Sequence, residues 1–205
     1  MTSPAPKRRG RPRAYDPDVA LRRARETFWR GGYAGTTLDD LAAGMGMNRP
    51  SIYAAFGDKR ALYRGAVTDY ARASRAWLTS ALAEPRTLGD GLRAVYRYAR
   101  DYYLAGDYGP RGCFLIGTAV TEAAGDAEVR ATVEATMAGF TEVFAKRFER
   151  AEREGELSPH APDALAHVAT ATLNTLALRA RTGADRATLD ALIDATINVI
   201  CPRAD

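Results

Sequence analysis

The stretch "TTLDDLAAGMGMNRPSIYAAFGDKRALY", Thr36 to Tyr63, interrupts a helical pattern twice, at "GMGM" and again at "FGDK". Short helices are marginal by themselves. A chain that places two in succession must hold them against a third element, for a geometric purpose. The punctuation is local and chemical. Thr37 with Asp40 three residues on reads as a capping box with Asp in the Glu position. Leu38, Leu41 and Ala42 share one face, and the helix is expected to run out at Gly44. After the turn Met45-Gly46-Met47, Asn48 caps the next helix, and Pro50 falls in its first turn, where a missing N–H costs nothing. Gly57 ends that helix, and Asp58 caps a longer one.

Another long helix precedes this unit. Asp16 is a good N-cap, Pro17 suits the first helical position, and Gly31-Gly32 is expected to stop the helix after Arg30. Leu21, Ala24 and Phe28 would form its inner face, with Arg22, Arg23, Arg25 and Arg30 mostly outside. Two short helices joined by a three-residue turn and packed on a longer one make a helix-turn-helix unit. Leu41, Ile52 and Phe56 are expected to face the first helix, leaving Asn48, Arg49, Ser51 and Ala55 outside.

The rest reads as helix throughout, so the fold class is all-α with about nine helices. One helix runs from about Asp58 to Ala83, with Leu62, Ala66, Tyr70, Ala73 and Trp77 on one face. The next, carrying Leu88, Leu92, Val95, Ala99 and Tyr102, ends in "AGDYGPRG". A short apolar segment precedes a long helix from about Ala127 to Glu154, and two more span about Asp163 to Thr182 and Arg186 to Ile200. The expected organisation is a disordered basic tail over 1–14, a helix-turn-helix domain over 15–60, and a helical remainder over 61–205. No apolar run is long enough for a transmembrane helix, and the amino terminus lacks the apolar core of a signal peptide. The two cysteines, Cys113 and Cys201, fit no zinc or disulfide spacing, which points to a reducing cytoplasm.

Lys and Arg number 29 against 25 Asp and Glu, a net charge of +4. Only three of the 29 are Lys, a bias that fits an arginine-rich composition as well as nucleic-acid binding, so position must carry the argument. The chain has no Gly-rich phosphate loop and no Ser, His and carboxylate set with a local signature. Its two histidines, His160 and His167, have no carboxylate or thiol at metal spacing. No catalytic residue, metal site or cofactor is expected, and an enzyme is disfavoured.

Thr37, Leu41, Ala42, Gly46, Met47, Ser51, Ile52, Tyr53, Phe56, Lys59 and Leu62, with their spacing, resemble the DNA-binding signature of the tetracycline-repressor (TetR) family of bacterial regulators. "RGCFLIGTAVTEAAGDAEVRATVE" and "EREGELSPHAPDALA" are similar to the ligand-binding half of many members. The resemblance implies that Arg49 to Phe56 enters the major groove of a double-stranded, palindromic operator. Arg49 would meet a guanine or a phosphate, and spacing does not decide between them. Asn48 and Ser51 are further candidate contacts, while Thr37, Tyr53 and Lys59 match positions that hold the DNA backbone. Ala54 and Ala55 depart from the larger or polar residues frequent there, which leaves at most an apolar contact to a thymine methyl. In the tail, Arg9-Gly10-Arg11-Pro12 resembles an AT-hook core, suited to a narrow minor groove; a solvated tail is the equal alternative.

The tyrosines at 96, 98, 102, 103 and 108 suit a pocket or ordinary packing equally. With the family resemblance, Trp77, Tyr96, Tyr102, Tyr103, Phe114, Met137 and Phe140 become candidate contacts for a small-molecule effector. Cys113 reads as a buried small hydrophobe rather than a thiol sensor. The last two helices carry small and apolar residues on more than one face. The resemblance therefore implies a homodimer through Leu165, Ala169, Leu173, Leu176, Leu189 and Ile193, against the alternative of a monomeric core. The expectation is a ligand-responsive regulator, most simply a repressor, with no membrane association.

Overall fold

The computed structural model describes residues 15–84, 86–106, 109–157 and 162–202, and among them every regular element is helical. In chain order these are α1 (Pro17–Gly35), α2 (Leu38–Met45), α3 (Arg49–Phe56), α4 (Lys59–Ala83), α5 (Leu88–Leu104), a π-helical turn (Leu115–Ala119) that runs into α6 (Val120–Ala123), α7 (Ala127–Arg153), α8 (Pro162–Arg181) and α9 (Arg186–Ile200). Arg9, Arg11, Tyr108 and His160 lie outside the described residues.

Two boundaries differ from expectation. α1 does not stop at Arg30; it kinks at Gly32 (φ 67°, ψ 177°) and continues to Gly35. α2 runs one residue past Gly44 to Met45, and a Cβ at Gly44 would stand 2.4 Å from Thr27 Oγ1 on α1. That glycine permits close helix contact, and termination falls instead to Gly46, left-handed at φ 66°.

The arrangement turns on α4, which packs on α1 near its start and on α7 along its length. Leu62, Tyr63, Ala66, Val67 and Tyr70 of α4 are buried against Phe28 and Trp29 of α1 and Phe114 beyond α5. Ring centroids lie 5.0 Å apart for Phe28 and Tyr63, 5.3 Å for Trp29 and Tyr70, and 5.3 Å for Trp29 and Phe114. Burying each such ring contributes about 1.5–3 kcal/mol, and edge-to-face pairing adds about 0.5–1.5 kcal/mol. The Trp29 indole N–H donates to the Arg111 carbonyl at 2.9 Å, which ties α1 to the segment after α5. Beyond this seam the same core continues between α5, α7, α8 and α9. Tyr96 stacks on Phe144 and donates to the Ala169 carbonyl at 3.2 Å. The buried Arg100 pairs with Asp101 and with Asp190, joining α5 to α9.

Burial corrects three sequence expectations. Ala73 on α4 is exposed and Trp77 half-buried, because this face borders a cavity rather than solid core. Arg25 does not lie outside: its side chain is only 13% exposed. Ala169, Leu173, Leu176, Leu189 and Ile193 are buried within the single chain, and Leu165 is half-buried. The five buried residues are consumed by the chain's own core and are not free to meet a second copy. The large apolar side chains that α8 and α9 do expose are Val168, Leu178 and Val199, at 43, 55 and 69%.

A buried carboxylate anchors the start of α4 to α7. Asp126 caps α7 by accepting from the Glu128 and Val129 amides at 3.1 and 3.2 Å. It also takes Arg60 Nη1 at 2.7 Å and Arg64 Nε at 3.0 Å, with its side chain 2% exposed. Hydrogen bonds from Arg64, the Val129 amide and Arg60 outweigh burial and pull its carboxyl down to about 2. Because the folded value lies below the ordinary aspartate value of about 3.9, the contribution is complete above that value and is lost as pH falls through about 2. Asp126→Asn should therefore lower Tm at neutral pH by roughly 5 °C. The gap to wild type should close between about pH 4 and pH 2, in a series of thermal melts. A gap independent of pH in that window contradicts the ion-pair account.

Candidate nucleic-acid interface

Each of the two short helices is capped by side chains at its start and buries few residues, Leu41 and Met45 on α2 and Ile52 on α3. Thr37 Oγ1 accepts from the Asp40 amide at 3.1 Å while Asp40 Oδ2 accepts from the Thr37 amide at 2.8 Å and hydroxyl at 2.6 Å. These bonds hold the Asp40 carboxyl below the usual aspartate range. At the other end the Met47 amide donates to Ala42 O at 3.0 Å, closing the helix over the left-handed Gly46. Asn48 Oδ1 accepts from the Ser51 amide at 2.8 Å, and Asp58 Oδ1 from the Ala61 amide at 2.7 Å.

What α3 does with its eight residues is informative. Ile52 alone is fully buried; Phe56 is half-buried, 6.3 Å from the Tyr15 ring. Asn48, Arg49, Pro50, Tyr53, Ala54 and Ala55 are exposed, and Tyr53 shows 49% of its surface. A helix so capped and so little buried presents its outer face to something else. Arg49 and Tyr53, one turn apart, share that face.

Of the residues singled out from sequence, Thr37, Asn48, Arg49 and Tyr53 are exposed on α2 and α3, and Ser51 is half-buried beside its cap. Lys59 is placed by Tyr33 of α1, its Nζ 4.4 Å from the ring centre. The residue that sequence reasoning missed is Asp39. Its carboxylate takes Arg49 Nε at 2.7 Å and also binds Nη2, a two-point clamp between α2 and α3. The pair holds the Asp39 carboxyl below its usual range and pushes the Arg49 guanidinium up. The only sequence signal was an acid in the first turn of α2, and nothing local linked it to a residue ten positions on.

A second feature lies in the body. Between α4, α5, α7 and α8 is a cavity of about 230 Å³ lined by Trp77, Tyr102, Tyr103 and Phe140 among the expected effector contacts. Tyr96 and Phe114 are fully buried in core instead, and Met137 borders a separate groove with His167 and Thr170. Cys113 borders the cavity as a buried group. Burial pushes its thiol up, and the Tyr70 hydroxyl donates to its Sγ at 3.4 Å. No helix among the described residues is long and apolar enough to cross a membrane.

Residues 20–66 match the family described as bacterial regulatory proteins, tetR family, and residues 89–196 match the tetracyclin repressor-like C-terminal domain. The chain belongs to the TetR family of transcriptional regulators. It is 28% identical over 193 residues to the uncharacterized HTH-type transcriptional regulator YezE of Bacillus subtilis, covering 93% of this chain and 99% of that one. It is 27% identical over 180 residues to the HTH-type transcriptional repressor ComR of Escherichia coli, 87% of this chain and 85% of the relative. Among solved structures, a cysteine-substituted form of the regulator CifR in complex with 26-bp double-strand operator DNA is 30% identical. It superposes with a TM-score of 0.81 over 93% of this chain and 100% of that one. E. coli NemR in its reduced form, 18% identical, shares the fold at a TM-score of 0.81 over 92% and 98%.

In this DNA-binding family the Asp39–Arg49 clamp has a direct consequence. Asp39 takes Nε and Nη2 of Arg49 and offsets its charge, so Asp39→Ala should raise affinity for non-operator DNA. It should also steepen the fall of log K with log salt by about 0.9, the release of one more counterion. Fluorescence anisotropy on random-sequence duplex across a salt series measures both, and an unchanged slope argues against the clamp.

Proposed function

We propose that this regulator is a homodimeric repressor that binds a palindromic operator through α3 and is released by a small-molecule effector held in the body. The observation that carries the reading is α3 itself, a fully capped helix that exposes Asn48, Arg49 and Tyr53 rather than burying them. Support also comes from the relatives, one described as a repressor and one complexed with operator DNA.

On this reading Arg49, freed from Asp39 by the right base edge, makes the sequence-reading contact; Asn48 and Ser51 add contacts beside it. Thr37, Tyr53 and Lys59 hold phosphates and fix register. The tail arginines Arg9 and Arg11 add non-specific affinity or a minor-groove contact. Residues up to about 60 form the DNA-binding domain, and the remainder binds effector and dimerises. The exposed apolar residues Val168, Leu178 and Val199 suit a face-to-face pairing of α8 and α9 with a second copy.

Two recognition helices must stand about 34–36 Å apart, or a multiple of it, to enter successive major grooves. A ligand that favours another spacing weakens DNA binding by its differential affinity for the two states. α4 is the natural lever, since it begins beside α3 and packs along α7. A protein acting on operator DNA works in the cytoplasm.

The test is anisotropy on DNA flanking the protein's own gene against a shuffled duplex, with wild type, Tyr53→Ala and a form lacking residues 1–13. Wild type should bind the flanking DNA about 1,000-fold more tightly than the shuffled duplex, and Tyr53→Ala should lose tenfold or so of that. Equal binding of both duplexes, surviving in Tyr53→Ala, would mean that the tail alone compacts DNA and would sink the operator reading.

A further inference from the structure

The cavity in the body contains a cation that its own partners leave underbonded. Arg25 enters it from α1, the first helix of the DNA-binding half, although the other walls belong to α4, α5, α7, α8 and the segment after α5. Its nearest carboxylate oxygens stand at 3.5 Å on Asp69 and 4.0 Å on Glu26, at or beyond the limit of a hydrogen bond. Its Nε is buried with no hydrogen-bond partner. The carboxylates are engaged elsewhere, Asp69 with Arg72 at 2.7 Å and Glu26 with Arg111 at 3.4 Å. Arg25 thus shares Asp69 with the exposed Arg72 and Glu26 with Arg111, and holds neither carboxylate closely.

A buried charged donor without an acceptor is rare and costly, so it calls for an explanation. A guanidinium is also the side chain whose planar fork fits a carboxylate with two parallel hydrogen bonds. The neighbouring walls are flat and apolar: Tyr70, Trp77, Tyr102, Phe140 and Leu173. Trp77 stacks on Tyr98 at 4.6 Å, and the Arg25 guanidinium lies 5.6 Å from the Tyr70 ring centre. An apolar cavity of about 150 Å³ holds benzene. The cavity of about 230 Å³ therefore has room for one or two fused rings and a small polar group, and for little more.

We propose that this cavity binds a small aromatic carboxylate, its ring among the aromatic walls and its carboxylate on Arg25. We further propose that such an acid is the effector, a claim that rests on the regulator reading above. The ligand would replace the loose contacts of Arg25 to Asp69 and Glu26 with a two-point bond to a molecule seated in the body. Because Arg25 is carried by α1, that bond acts on the orientation of the DNA-binding helices, which is the differential contact a release mechanism needs.

The test titrates the full chain with benzoate, phenylacetate and 2-naphthoate and with the corresponding amides, read by calorimetry and by tryptophan fluorescence. At least one acid should bind wild type roughly tenfold or more tightly than its amide, the difference expected of a charge-assisted hydrogen bond. Arg25→Gln, checked for folding by thermal melting, should bring the acid to the affinity of its amide and leave the amide unchanged. Phe140→Trp, which fills the cavity, should weaken both. Equal binding of acid and amide to wild type overturns the anionic class without needing any variant. Failure of every acid to bind at millimolar concentration, with operator binding intact, overturns the ligand and leaves the regulator standing. Acid binding that survives both variants places the site elsewhere and overturns the proposal. Acid bound in the cavity with operator affinity unchanged supports the site and overturns its effector role.

Discussion

Four aromatic rings, Phe28 and Trp29 on α1 with Tyr63 and Tyr70 on α4, close over Phe114 to make the contact on which the position of everything N-terminal depends. α2 and α3 bury too little to orient themselves; α2 rides on α1, α3 is held by α2 and α4, and α1 and α4 are fixed by this seam. α4 then carries that placement into the body, where Asp126 holds its first turns against the start of α7. Local capping makes the short helices, aromatic burial aims them, and one buried carboxylate ties the aim to the rest of the molecule.

Arginine shows how strongly context decides a charge. Arg60 and Arg64 meet a buried carboxylate that already caps a helix, an arrangement of short hydrogen bonds with a structural consequence. Arg49 is clamped by Asp39 in solvent, where screening keeps the pair weak. Arg25 is more buried than either Arg60 or Arg64, yet its carboxylates stand off and its Nε has no acceptor. Three geometries of one side chain thus correspond to scaffold, proposed DNA contact and proposed ligand contact.

The amino-acid sequence by itself determined the all-helical class, the capped pair of short helices and the exposed face of α3. These depend on groups within four residues of one another: Thr37 with Asp40, Asn48 with Ser51, Asp58 with Ala61. It also carried the family signature, since that signature is a set of spacings. What it could not carry was set by contacts between residues distant in the chain. Gly44 reads as a helix end and is a point of close approach to Thr27. Arg25 reads as a surface charge and faces a cavity whose walls come from five other segments. Leu173, Leu176, Leu189 and Ile193 read as an interface, because periodicity shows that a helix has an apolar face but not which partner covers it. Tertiary packing made that choice. It buried these residues in the chain's own bundle and left Val168, Leu178 and Val199 outside, because burial is a property of the assembled surface and not of any single helix.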